Sequence, residues 1–254
     1  VNILLFSQNE WNKPLSRDDP RVAHIQKILG KFTGETLRVG CLGRGRGEAK
    51  ILEMPSQGDL VLEFPSLDTL APGPPSLPVV LLLGHPRIPV IQRLCRDLAS
   101  FGVAGIAVCG TDLGEKSYFS SSFWTRNQAQ NLAIEGAQQG GLTVLPAIDR
   151  WWSVADFLEK NTNTYREYNR YVLHPSHSHS FFAPTLAADF IRKTPRGVLI
   201  AVGPERGWSD REVDRLMGGD FTPLSLGPYT WRTESAAVFA AGLSTHLYSA
   251  TEQQ

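Results

Sequence analysis

Two stretches late in the chain, "GPERGWSDRE" (203–212) and "LGPYTWRTESA" (226–236), place glycine, proline, carboxylates, hydroxyls and an arginine at turn spacing. Each follows an apolar run, "GVLIAV" (197–202) and "FTPLSL" (221–226). The chemistry open to such stretches is ligand holding by peptide groups. Where a strand ends in a tight loop before a helix, backbone N–H groups converge on one point. Gly203 and Gly227 allow backbone paths and close approaches that a Cβ would block. Pro204 and Pro228 stiffen the loops, so little entropy is lost when a ligand docks. Ser209 and Glu212, three apart, read as a capping box, and Thr233 reads as a cap for the last helix. The strand end "VLHPS" (172–176) has the same character. A single such loop is an ordinary connection; two matching Gly-Pro turns in one sheet favour a site.

The elements that must position these loops follow from the apolar pattern. From residue 78 on, "VVLLLG", "GIAVCG", "LTVLPAI", "YVLHPS", "GVLIAVG" and "FTPLSLG" alternate with helical segments. The helices are expected at "PVIQRLCRDLASFG", about 124–139, "APTLAADFIRK", "SDREVDRLM" and about 233–250. Continuous apolar strands alternating with helices imply an α/β fold with a parallel sheet covered on both faces. Residues 1–70 read differently. Short β-prone pieces ("NILLF", "GETLRVGCLG", "GEAKILEM", "DLVLEF") separated by turn residues suggest a small barrel or curled sheet. One helix is expected over 21–29, with Val22, Ile25, Ile28 and Leu29 on its apolar face. Between the two regions, "PSLDTLAPGPPSLP" (65–78) carries five prolines, and 71–78 is taken as the linker.

Totals exclude several classes. Formal net charge is zero, so there is no global signature of a polyanion binder, although a local basic patch suffices for one. Cys41, Cys95 and Cys109 are odd in number and form no C-x-x-C, against structural zinc or a disulfide framework. His177 and His179 in "HPSHSHS" lack metal-ligand spacing. No dinucleotide, nucleotide-triphosphate or nucleophile-elbow motif occurs. No run reaches the ~18 apolar residues of a membrane span, and a cytoplasmic protein is the expectation. A chain that starts at Val1 leaves an upstream leader, and hence an organelle, open.

The two Gly-Pro stretches together resemble the paired signatures of the SPOUT methyltransferases, in particular the small-subunit ribosomal RNA (uracil-N3)-methyltransferase family. Its members carry a Gly-Pro-Glu-Gly-Gly-aromatic loop and a later Leu-Gly-x-x-Ile-Leu-Arg-x-Glu-Thr-Ala segment. The resemblance is strong over 197–240 and weaker at the start, where "FSQNE", Arg21 and His24 sit in a β-rich module like the family's PUA-like domain. It implies a trefoil-knotted sheet, a homodimer, and S-adenosylmethionine held by backbone groups of three loops. The cofactor contacts it implies are Leu173, His174, Val202, Gly203, Pro204, Glu205, Gly207, Leu226, Gly227, Pro228, Tyr229, Trp231 and Thr233. No metal is implied.

Methylating uridine N3 removes an imide proton and spreads negative charge onto the flanking carbonyl oxygens. A fixed cation is the natural stabiliser, and Arg232 matches the family arginine. Glu234 either orients Arg232 or helps remove the proton; the bland alternative is a helix-start ion pair between the two. Glu205 either braces its loop or meets the cofactor's ammonium. Trp208 is expected in the core. Over 31–50, five basic residues face two acidic ones. Arg38, Arg44 and Arg46, with Arg21 and His24, are the candidate RNA contacts, Arg44 and Arg46 on the hairpin tip "GRGRG". The chain departs from the family at Arg206 (usually Gly), Leu29-Gly30 (Leu-Arg), Gly84-His85 (a lysine) and Leu142 (an arginine). Mostly RNA-facing groups are lost, so the methyl donor is better supported than the target. An enzyme for another RNA or base, or a silent RNA-binding relative, stands as the alternative.

Overall fold

The computed structural model describes residues 3–54, 59–175, 180–192 and 196–251. His177 and His179 lie outside them. The chain forms two compact units, Val1–Pro75 with Ala137–Leu145, and Ser76–Gly136 with Pro146–Gln254.

In the first unit a four-stranded sheet runs in the order β1 (Leu4–Phe6), β2 (Thr36–Cys41), β3 (Gly45–Glu53), β4 (Val61–Glu63). The β1–β2 pair is parallel and the others are antiparallel, with a register shift between Ile51 and Glu53. Period-two alternation puts Leu37, Val39 and Cys41 inside with Ala49 and Ile51. Phe6, Trp11 and Phe64 close the core as a cluster of rings 4.5–6.1 Å apart. Residues 137–145 belong here because Gln138 takes up the amides of Ile3 and Leu5 (3.2 and 3.1 Å), and Thr143 takes that of Gly43 (2.8 Å). The expected strand "LTVLPAI" therefore forms only from Ala147. The proline-rich stretch is also partly ordered on this unit, since Arg46 and Ala71 exchange both backbone hydrogen bonds (2.7 and 2.9 Å).

Helix α1 (Pro20–Lys27) starts at Asp19, whose carboxylate accepts the Arg21 N–H, and buries Val22 and Ile25. Ile28 and Leu29 were expected on the same face but are 72% and 36% exposed. The helix ends at Lys27 and the chain turns away at Gly30 (φ +60°), so helical spacing no longer holds there.

The second unit is a six-stranded sheet, every neighbouring pair parallel. Its order is β10 (Thr222–Leu224), β8 (Asn169–Leu173), β9 (Val198–Val202), β5 (Leu77–Gly84), β6 (Val103–Cys109), β7 (Ala147–Trp151). The helices are α2 (Ile88–Ser100), α3 (Ser122–Thr125), α4 (Gln128–Gly140), α5 (Val154–Asn161), α6 (Phe182–Arg192), α7 (Asp210–Gly218) and α8 (Thr233–Thr251). Strand β5 shows why the apolar runs are continuous. Val79, Leu81 and Leu83 face one core, under α2, α6 and α8, while Val80 and Leu82 face a second, under α5 and α7. The single helix expected over 124–139 is two, broken at Asn127 (φ 53°). Helix α5 was not anticipated, although Ser153 caps it by accepting the Asp156 N–H. The three cysteines are free and buried. Among the described residues there is no metal-ligating cluster and no helix long and apolar enough to cross a membrane.

Candidate active site

In a parallel sheet all strands finish at one edge, and the chain order here brings four ends together. Strand β9 lies between β8 and β5, with β10 beyond β8. The residues after Leu173, Val202, Leu224 and Gly84 are thus neighbours at the carboxyl edge, the place where such sheets hold ligands.

The β9 loop is tight. Gly207 donates its N–H to Pro204 O (2.8 Å) and sits at φ +72°. A Cβ on Gly203 would lie 3.1 Å from Gly207 Cα and 3.2 Å from Trp208 N, so any side chain there would crowd the closed loop. One strand over, a Cβ on Gly84 would meet Pro204 Cδ at 2.4 Å. The loop leads into α7 through the expected capping box. Ser209 accepts the Glu212 N–H (3.2 Å) and Glu212 accepts the Ser209 N–H (2.9 Å). Glu212 is 2% exposed, and its other oxygen accepts the Asp112 N–H (2.9 Å). Asp112 in turn accepts from Ser209 Oγ (2.6 Å) and binds Arg211 (2.5 Å). The hydrogen bonds from Arg211 and Ser209 hold the Asp112 carboxyl below its usual range.

The β10 loop is anchored from the other side. His174 donates its N–H to Leu224 O (3.0 Å), and Ser225 exchanges backbone bonds with Ser180 and Phe182 (2.9 and 2.8 Å). Ser225 Oγ accepts the Gly227 N–H and donates to Gly227 O (3.1 and 3.0 Å). Gly227 takes φ +120°, with open space where its Cβ would be, as at Gly207. Both bends therefore present bare peptide edges. No described residue accepts the N–H of Leu226, Tyr229 or Trp231.

One side chain joins the two loops. Thr233 was expected to cap α8; instead it is the first helical residue, 5% exposed, and its Oγ1 donates to Gly203 O (3.0 Å) across 30 positions. Arg232 beside it is exposed, and its guanidinium has no partner among the described residues. The Arg232–Glu234 ion pair is not formed. Glu234 binds Arg93 of α2 instead (3.3 Å). Glu205 accepts from the backbone and side chain of Arg87 (3.2 and 3.1 Å). Trp208 is 4% exposed in the core under α7. Leu173, Val202 and Pro204 are buried and Leu226 half-buried, whereas Pro228, Tyr229 and Trp231 are exposed.

His85, noted in the sequence only as part of the Gly84-His85 departure and given no role there, is 3% exposed. Its Nδ1 faces Pro86 O (2.7 Å), and its Nε2 accepts from Trp124 Nε1 (2.9 Å). That pairing makes it a neutral ring protonated on Nδ1. Burial, with the Arg150 charge acting the same way, pushes its pKa down.

The candidate RNA residues lie in the first unit. Arg21 is committed there. It binds Glu10 (2.6 Å), Asp19 (2.7 Å) and Leu5 O (3.1 Å), and lies 4.8 Å over the Phe6 ring. His24 is half-buried on α1. Arg44 occupies the hairpin tip, but Arg46 lies within β3, paired with Gly40. Arg46, Arg38, Glu48 and Gln139 line a groove of about 440 Å³. Leu142, at the family's arginine position, is buried.

Residues 73–245 match the family model described as an RNA methyltransferase domain. The ribosomal RNA small subunit methyltransferase E of Treponema pallidum is 30% identical over 250 residues, 96% of this chain and 90% of that one. Its Borreliella burgdorferi counterpart, methyltransferase E 1, is 28% identical, covering 95% and 96%. The chain belongs to the ribosomal RNA small subunit methyltransferase E family. A methyltransferase of Legionella pneumophila, solved with bound cofactor SAM, shares the fold, with a TM-score of 0.74, 24% identity and 98% coverage of both chains. Family membership covers both units, including the first, where the motifs are weakest.

Proposed function

We propose that this chain transfers a methyl group from S-adenosylmethionine to N3 of a uridine in small-subunit ribosomal RNA. The observation that carries the reading is the Thr233–Gly203 hydrogen bond. It fastens two glycine bends, each with an open peptide edge, beside an unpaired arginine. The Treponema and Borreliella relatives are named for small-subunit rRNA, and the Legionella protein was solved with SAM.

The residues present fit the donor. Gly207 and Gly227 leave empty the space that side chains would fill, and the free N–H groups after Leu226 suit a polar ligand gripped by its edges. S-adenosylmethionine supplies an electrophilic methyl group on a sulfonium. Leu173, His174, Val202–Gly207 and Leu226–Trp231 hold it through peptide groups and apolar contact. As the uridine N3 proton passes to water, the Arg232 guanidinium would meet the charge that grows on the flanking carbonyl oxygens. Glu234, tied to Arg93, serves better as a brace for the start of α8 than as a base. Its carboxylate is already spent on a cation.

The remaining parts follow the same reading. The curled sheet of the first unit acts as a PUA-like RNA grip through Arg38, Arg44 and Arg46, with the proline-rich residues before β5 as the joint and the second unit as the knotted methyltransferase domain. Phe181, Tyr229, Trp231 and Phe239, all exposed, form the face that a second subunit covers in a homodimer. The setting is the bacterial cytoplasm, where the substrate is made.

The test is incubation of the protein with S-adenosylmethionine and unmodified small ribosomal subunits, followed by mass analysis of nucleosides. N3-methyluridine at one position is expected. Methylation of another base or another RNA, or donor binding in calorimetry without transfer, would replace this reading.

A further inference from the structure

We propose that a second cavity at the carboxyl edge of the parallel sheet is a stacking subsite for one unpaired nucleotide of the RNA, adjacent to the methylated one. The inference rests on the methyl-transfer reading above. The cavity, about 440 Å³, lies wholly within the second unit, where edge strand β7 meets the segment between β6 and α4. Ile148, Asp149 and Arg150 of β7 and Trp152 just beyond it line one wall. Trp151 turns the opposite way onto Phe157 (5.8 Å).

Three features suit a nucleobase. First, Phe119 stacks on Trp152, with ring centroids 5.6 Å apart and planes within 19°. Trp152 is still 78% exposed, so the indole is backed on one face and open on the other. Second, Arg150 is a fixed cation. It donates to Phe119 O (3.0 Å) and lies 5.0 Å over the Trp124 ring. Third, the exposed side-chain amides of Asn127 and Gln130 have no partner among the described residues. Each amide offers a donor and an acceptor, as a base edge requires. An open aromatic face, polar edge readers and a cation for phosphate are how proteins hold single-stranded RNA.

The cavity is built onto the donor site. Trp124 is hydrogen-bonded to His85 (2.9 Å), and the Phe119 ring lies 5.2 Å from the His85 ring. His85 follows Gly84, the residue whose missing Cβ admits Pro204 of the first glycine bend. Phe119 and Trp124 of the cavity thus rest on His85, which connects them to the first glycine bend and sets the stacked nucleotide on the target's side of the sheet edge.

Anisotropy of a fluorescein-labelled single-stranded RNA spanning the target uridine, titrated with the full chain, tests this. Trp152→Ala is expected to weaken binding about tenfold, as loss of a base–aromatic stack does. Trp152→Phe should recover most of the loss, Phe119→Ala should behave like Trp152→Ala, and S-adenosylmethionine affinity by calorimetry should not move. A loss under threefold, a loss that phenylalanine does not recover, or a change in sedimentation instead of RNA affinity overturns the subsite. If the wild-type chain binds this RNA but methylates nothing, the methyl-transfer reading fails while the anisotropy series still decides the stack.

Discussion

Replacing Thr233 by valine keeps the shape and the β-branch of the side chain and removes one hydroxyl, the group that ties the two glycine bends together. The bond is 3.0 Å long and part-buried, and Thr233 is 5% exposed. A hydrogen bond of this kind contributes about 1 kcal/mol net, and leaving its acceptor without a partner costs up to about 1–3 kcal/mol. Gly203 is only half-buried, so water recovers part of that penalty and the expected total is about 1–2 kcal/mol. If the donor binds only when both bends are held in register, its affinity falls by about 5–30-fold. For a unit of this size Tm should drop by roughly 2–8 °C. Isothermal calorimetry with S-adenosylmethionine and a thermal melt measure the two effects separately. Thr233→Ser, which keeps the hydroxyl, should bind the donor nearly as well as the wild type. A Thr233→Val protein that melts early yet binds the donor within twofold of wild type would show that the bond stabilises the fold without shaping the site.

Arg232→Ala should lower the rate of methyl transfer about 100-fold or more, as loss of a preorganised cation does. Being exposed and unpaired, that residue should leave Tm and donor affinity unchanged in the same preparations. Arg21→Met strands the Glu10 and Asp19 carboxylates and should destabilise the first unit by about 1–3 kcal/mol, read by urea unfolding. His85 supplies a pH test. Its pKa is lowered in the folded protein, so its contribution is present above the unfolded value of about 6.5 and is lost as pH falls through the window beneath it. Stability from urea titrations should decline between neutral and mildly acidic pH, and His85→Gln should flatten that slope. Asp19, held low first of all by the Arg21 hydrogen bond, loses its contribution only below the ordinary aspartate value of about 3.9.

What could be read from the chain was local. Strands β5, β6 and β9 announced themselves as unbroken apolar runs because both sheet faces are covered there, and the capping box announced itself because it spans four residues. What could not be read depended on partners far along the chain. Nothing near Thr233 says that its hydroxyl leaves its own helix for a carbonyl 30 positions earlier. Nothing in "RVAHIQK" says that Arg21 folds back onto Glu10. Residues 137–145 read as a helix end and then, from Leu142, as the start of an apolar strand. Their role is set by the amides of Ile3, Leu5 and Gly43, which no window around them contains. Helix α5 was the exception, a local signal passed over, since Ser153 and Asp156 stand at capping distance.

The arrangement of these distant partners explains why the glycine bends can afford to be bare. A loop that presents peptide edges has few side chains with which to hold itself, so its shape must be set from outside. Glu212 links the β9 loop to the residue Asp112 after β6, Gly84 receives Pro204 from β5, Arg87 grips Glu205, and Thr233 binds Gly203 from α8. Four separate elements thus fix one bend of five residues. The buried carboxylate of Glu212 is satisfied on both oxygens by backbone N–H groups, one from the loop and one from Asp112. Its function is rigidity. None of these contacts uses Arg232, whose guanidinium, like that of Arg206, has no partner among the described residues.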